Sequence, residues 1–431
     1  MNAKELISSI NDGNIDERFL DIYQTEAQLQ IQKARYTKAV KEFHRIFNQD
    51  NSDEVHIFSA PGRSEICGNH TDHQHGEVLA ASISDDAIAV VSPRDDDAIQ
   101  LLSEGYDMMT IRLDTLDKNP SEEGTTKALI RGILAKTKES GYAIGGFNAY
   151  ITSDVLSGSG LSSSAAFETL LGTILSGLYN DMKIDPVEIA IIGQYAENVY
   201  FGKPCGLMDQ MACSVGALCH IDFADPSAPK VERIDFSLTS AGYSLCITDT
   251  KGSHADLTPD YAAVPEEMHS VAALFDKEYL HDIPEKDILG HVSVIREKCG
   301  DRALLRALHY HEECRRVREA VAALREDRFD DFLDVIRRSG DSSFKFLQNV
   351  YPPHDLSRQN TSVALQVSEL TLRDENAAGV CRIHGGGFAG TIQAFVRNNA
   401  VEAYRKAMDD IFGAGACHVL LIRAYGGVQM V

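Results

Sequence analysis

Ten consecutive residues, Ser157-Gly158-Ser159-Gly160-Leu161-Ser162-Ser163-Ser164-Ala165-Ala166, constrain this chain more than any other feature. Glycines let a backbone curl until successive N–H groups converge. A helix over Ala165–Tyr179 begins immediately afterwards, with Phe167, Leu170, Leu171, Ile174, Leu175 and Leu178 along one face. Unpaired amides and the positive end of a helix dipole suit a phosphate, and one of three hydroxyls could ligate Mg²⁺. The same residues also fit a flexible linker that ends in a serine N-cap. The chain has no GxxxxGK[ST] and no strand-linked GxGxxG, so neither a P-loop nor a dinucleotide fold is supported.

Three further stretches carry chemistry. Residues 62–76, GRSEICGNHTDHQHG, set polar donors and acceptors between glycines. Cys67, His70, Asp72, His73 and His75 lack the spacing of a structural zinc site, and the loop fits a polyhydroxylated ligand better. An ordinary hairpin turn with solvated side chains also accounts for it. Residues 202–210, GKPCGLMDQ, hold Asp209 in an apolar, glycine-containing turn. There burial would raise its pKa and an adjacent cation would keep it ionised, unless it serves only as an N-cap. Residues 382–390, RIHGGGFAG, carry three glycines between strand-like segments, which permits close approach to a ligand or simply a hairpin.

Around these stretches the chain reads as alternating elements. Leu29, Tyr36, Val40, Phe43 and Phe47 repeat near a 3.6 period, which predicts a helix over 27–47, followed by a polar break at 48–54. Strands are predicted at 55–63, running into a Pro-Gly turn, and at 77–92, 145–152 and 418–423. Helices are predicted from Pro186, through 301–348, and over 362–374 and 401–412. The irregular alternation points to an α+β fold. At 431 residues two or three domains are expected, with a composition shift near 224–230. We divide the chain into a helical extension over 1–50, an N-terminal domain over 51–225 and a C-terminal domain over 226–431.

A net charge of −23 repels phosphate backbones and anionic lipid, which disfavours nucleic-acid and membrane partners. No apolar run reaches the roughly 18 residues that span a bilayer. The nine cysteines include no CxxC pair and the first residues do not resemble a secretory signal, so a cytoplasmic protein is expected. Oligomeric state is left open.

Taken in order, the four stretches resemble the GHMP kinase superfamily, and within it the galactokinase family. Residues 62–76 are similar to its motif GRxNxIGEHTDYxxG, GLSSSAA at 160–166 matches its phosphate loop, and 202–210 matches GKPCGIMDQ with one exchange. The resemblance implies a two-domain GHMP kinase fold with the active site in the cleft. It also implies an ATP-dependent sugar 1-kinase, most simply one that makes galactose 1-phosphate. Asp209 would face the anomeric hydroxyl, with Arg63 beside it. Gly158, Ser159, Gly160, Leu161, Ser162, Ser163 and Ser164 would wrap the ATP phosphates. Ser164 and Glu197 would hold Mg²⁺. Asn69, His70, Asp72, Gly206, Tyr261 and Gly386 would line the sugar pocket. The family carries Glu where this chain has Asn69, near the sugar's 6-hydroxyl, so a C6-modified or amino sugar is a second candidate substrate. A sugar- and ATP-binding regulator without turnover is a third reading.

Overall fold

Apolar strand runs and α-helices of 6 to 25 residues assemble into two sheets flanked by helices. The structure is a computed structural model and describes residues 1–47, 54–155, 160–252, 257–374 and 379–431. Most of the 48–54 polar break therefore lies outside the described residues, as do Gly158 and Ser159, which were expected to wrap the ATP phosphates.

The extension forms helices α1 (Ala3–Asn11), α2 (Asp16–Tyr23) and α3 (Glu26–Phe47). The apolar face expected on α3 is real: Leu29, Tyr36, Val40 and Phe43 are buried with Phe19 and Tyr23 of α2. These helices close one side of an eight-stranded sheet. Its strands are β1 (His56–Cys67), β2 (Glu77–Arg94), β3 (Ala98–Ser103), β4 (Met109–Arg112), β5 (Gly146–Ser153), β6 (Leu218–Asp222) and β7 (Lys230–Ile234), joined by a strand from near the end of the chain. Helices α4 (Thr126–Glu139), α5 (Ser163–Tyr179) and α6 (Pro186–Tyr195) cover the other side through a second apolar cluster. Asp185 caps α6 by accepting from the Val187 amide, and Pro186 fills the first helical position. Helix α7 (Met208–Val215) then leads into β6.

The second sheet has four strands: β8 (Tyr243–Asp249), β9 (Gly379–Ile383), β10 (Thr391–Arg397) and β11 (Cys417–Leu420), in the order β11-β8-β10-β9. It is covered by α11 (Asp301–Arg325), α12 (Phe329–Ser342), α13 (Asn360–Asp374) and α14 (Val401–Phe412), while α8 (Thr258–Ala273), α9 (Glu285–Gly290) and α10 (Val292–Lys298) pack against α11. β12 (Val428–Gln429) returns to the first sheet and pairs with β1. One apolar cluster spans both sheets, with Ile66, Leu79 and Ile83 against Leu245, Ile247, Phe395 and residues of α11 and α12.

Two local expectations are corrected. Pro61-Gly62 is not a turn: β1 runs straight through it, and the irregularity is absorbed as a register shift between Pro61 and Arg63 against β2. The composition shift at 224–230 is the connection between β6 and β7, two paired strands of the first sheet, and the second sheet opens at Tyr243.

Candidate active site

The first half of the site follows from how closely β1 passes the Gly- and Ser-rich loop before α5. A side chain at Gly62 would stand 2.8 Å from the Leu161 carbonyl, so only glycine lets the strand approach. The Arg63 amide then donates to Leu161 O at 3.1 Å, and Nη1 of Arg63 donates to Gly160 O. Arg63 is 6% exposed. Its Nε and Nη2 reach Asp209 Oδ1 and Oδ2 at 2.7 and 2.8 Å, a bidentate pair. Asp209 sits in the first turn of α7 behind Leu207, so it is not the N-cap. Ser162, in the left-handed region with φ 57°, donates its hydroxyl to Asp209 Oδ2. Burial pushes the Asp209 carboxyl up, but Arg63 and Ser162 outweigh it and hold the group below its ordinary value. Ser163 and Ser164 open α5, whose first-turn amides lack partners within the helix, as at any helix start.

Glu197 lies in a wide-turn continuation of α6 and is 4% exposed. Its Oε1 meets Lys203 Nζ at 3.0 Å and its Oε2 accepts from Gln210 Nε2 at 2.9 Å. Gln210 also donates to Glu168 Oε2 at 3.0 Å, while the buried Glu168 Oε1 has no partner. Hard oxygen donors, one of them unfilled, suit Mg²⁺. Among the described residues no three His, Cys, Asp or Glu converge as a metal cage.

The opposite wall comes from the turn after β1. Asp72 lies directly against Gly206, where an added Cβ would stand 2.0 Å from Oδ2. Burial, and then the charge of Asp209, raises the Asp72 carboxyl to about 6. His70 Nε2 bonds the Gly386 carbonyl at 3.0 Å and its Nδ1 meets His73 Nε2 at 3.1 Å. A carbonyl only accepts, so His70 carries its proton on Nε2 and accepts from His73 through Nδ1. Burial lowers His70 to about 4, so both rings are neutral near neutral pH. The Tyr261 hydroxyl donates to Gly387 O at 2.8 Å, and its ring packs against Gly386. Asn69 is 1% exposed beside them.

The structure thus joins Arg63, Asp209, Gly160 and Ser162 by direct contact, and Asp72 with Gly206. It likewise joins His70 with Gly386, and Tyr261 with Gly386 and Gly387. Sequence reasoning missed Glu168 and Gln210. A carboxylate among the apolar positions of α5, and a glutamine next to Asp209, were the available signals.

Comparisons with known proteins follow the same lines. Residues 127–217 match the GHMP kinases N terminal domain and residues 41–93 match the galactokinase galactose-binding signature. A galactokinase of Streptomyces coelicolor is 31% identical over 83% of this chain and 89% of its own length. The chain belongs to the galactokinase family. A second galactokinase, from Glaesserella parasuis serovar 5, is 31% identical over 80% of this chain and 86% of its own. Among solved structures, Lactococcus lactis galactokinase complexed with galactose superposes with a TM-score of 0.76 at 23% identity. It covers 92% of this chain and 99% of its own. A mevalonate kinase superposes at 0.60 and 16% identity, covering 85% and 99%. Both share the fold. No helix among the described residues is long and apolar enough to cross a membrane.

Proposed function

We propose that this chain transfers the γ-phosphoryl group of ATP to the anomeric hydroxyl of a hexose, with galactose the leading candidate, giving the sugar 1-phosphate and ADP. The observation that carries the reading is the bidentate Arg63–Asp209 pair fastened to the phosphate loop through Gly160 and Ser162. Phosphoryl transfer asks for positioning and charge compensation more than covalent chemistry. The hydroxyl oxygen attacks the γ-phosphorus, the bond to the β,γ-bridging oxygen breaks, and the hydroxyl proton passes to Asp209. Arg63 keeps that carboxylate anionic until then and lies beside the incoming phosphoryl oxygens. Gly158–Ser164 would wrap the phosphates. Ser164 and Glu197 would hold Mg²⁺, which offsets phosphate charge when bound. His70, Asp72, Gly206, Tyr261 and Gly386 would face the sugar, with Asn69 behind them.

In this reading the lobes divide at the β7–β8 connection, with the cleft between them. The partners are sugar and ATP, and the acidic surface disfavours nucleic acid. Nine free thiols accord with the reducing cytoplasm, where we place the protein. The test is an ADP-release assay across a panel of hexoses, with Asp209→Ala alongside. The variant is expected to lose about 10²–10⁴-fold in kcat or more while ATP still raises its melting temperature. Near-normal turnover would remove Asp209 from the proposed role, and tight sugar binding without turnover in the parent would favour a regulator.

A further inference from the structure

Among the departures of residues 62–76 from the family motif, two lie at positions whose side chains touch each other, one on β1 and one in the turn after it. The motif places Asn where this chain has Glu65, and Glu where it has Asn69. The two residue types have changed places. Both side chains are buried, each residue 1% exposed, and Asn69 Nδ2 donates to Glu65 Oε2 at 2.9 Å. The same Nδ2 donates to Gly385 O at 2.7 Å. Asn69 Oδ1 accepts from Asn349 Nδ2 at 2.8 Å and from Ser343 Oγ at 3.3 Å. A primary amide offers two donor hydrogens and one oxygen with two lone pairs. All four are taken by protein. Behind it, Glu65 Oε1 meets Arg382 Nη2 at 2.9 Å, with both side chains almost wholly enclosed.

We propose that Asn69 is a positioning residue and not a sugar ligand. It fastens the turn after β1 to the Gly385–Gly386 turn of the other lobe. The carboxylate of the family motif stands one layer back, at Glu65, neutralised by Arg382. The position that the family motif fills with a carboxylate then holds an amide with no atom to spare for a 6-hydroxyl, and the substrate class widens to hexoses whether or not they carry a free one. This substrate statement rests on the sugar-kinase reading above. A site that pairs a hydroxyl rejects the analogue lacking it by about 10⁴–10⁵-fold, whereas a site with no partner there has no means to do so.

The test compares the parent with N69A, N69E and E65N/N69E, by thermal unfolding and by ADP release with galactose and 6-deoxygalactose. N69E alone sets two carboxylates where an amide now meets one, so it is expected to melt below E65N/N69E, which restores one of each. The parent is expected to use the two sugars with kcat/KM values within about threefold of each other, and N69A to leave that ratio unchanged. The exchanged pair in E65N/N69E is expected to favour galactose by about tenfold or more. N69E melting at or above the double variant would overturn the exchange. A ratio that moves about tenfold in N69A would make Asn69 a sugar ligand after all. If neither carboxylate variant folds, the N69A ratio decides. If no sugar is turned over, the kinase reading fails, and the melting order alone still decides the exchange.

Discussion

Asp209 is pressed from two sides: burial favours its neutral form, and Arg63 and Ser162 favour its anion and prevail. A group held below its ordinary 3.8 adds stability above that pH and loses it as the pH falls through the depressed value. Ser162→Ala removes one of the groups that hold the anion, so the acid limb of the kcat–pH profile is expected to move upward. An unmoved limb, with the variant folded, would detach Ser162 from Asp209. Asp72 runs the other way, raised to about 6 from 3.8 by burial and by Asp209. Its folded form binds the proton more tightly, so stability is full below the unfolded value and falls as the pH rises through the folded one. Asp72→Asn is therefore expected to melt above the parent near about pH 8, with the gap closing towards about pH 4. Equal gaps at both would contradict the assignment. Arg63, Asp72, Ser162, Gly206 and Asp209 were legible as candidates because they stand in or beside glycine- and serine-rich stretches, whereas Glu168, inside the apolar α5, was not. The contacts of Asn69 and His70 were not legible either. Sequence identifies a polar side chain at the turn, but only the fold reveals that Gly385, Gly386, Asn349 and His73 have already claimed its atoms.

At the scale of elements, the contact of β1 with the phosphate loop is the feature most exposed to a small change. Gly62→Ala would set a methyl group 2.8 Å from the Leu161 carbonyl, and a backbone carbonyl yields less readily than a flexible side chain. The expected outcome is a loss of up to about 10²-fold in kcat/KM for ATP, from displacement of the loop by a fraction of an ångström to an ångström. The KM for sugar should move less. A variant with parental ATP kinetics would show that the loop gives way at no cost. This approach also explains why Pro61-Gly62 misleads as text. The dipeptide reads as a turn, yet here glycine thins a strand where another segment crosses it. The amphipathic helices α3, α5 and α14 were legible from their apolar spacing. Helix α4 carries the same signal in Leu129, Ile130, Ile133 and Leu134, whereas strands β3 and β4 do not, because their short apolar runs are framed by polar loops without a clear period. Helices α8 to α10 pack in a cluster of their own with α11 and the Phe388 turn, a long-range arrangement that no local pattern encodes.

For the whole molecule, one buried carboxylate ties distant parts of the chain together. Asp86 of β2 is 0% exposed. It accepts from Tyr23 of α2 at 2.7 Å, Arg35 of α3 at 2.6 Å and Arg423 at 3.0 Å, and from Ser59 of β1. The helical extension is thus part of the structural core and not an appendage. Tyr23→Phe deletes the hydrogen bond to a buried anion together with the one shared with the Tyr36 hydroxyl, and urea unfolding is expected to report a loss of about 1.5–3 kcal/mol or more. An unchanged midpoint would mean that the Tyr23 hydroxyl adds nothing to the docking, which then rests on Arg35 and the apolar face. Arg423 reaches Ser59 across 364 residues of sequence, and the adjoining β12 completes the edge of β1. At about 5–20 residues per second, a ribosome needs roughly 20–70 s to make that stretch. Throughout that interval β1 carries an unpaired edge, and the buried aspartate waits for its last arginine. Folding of the first sheet is therefore expected to finish late in synthesis, with the bare edge open to pairing with another chain until β12 arrives.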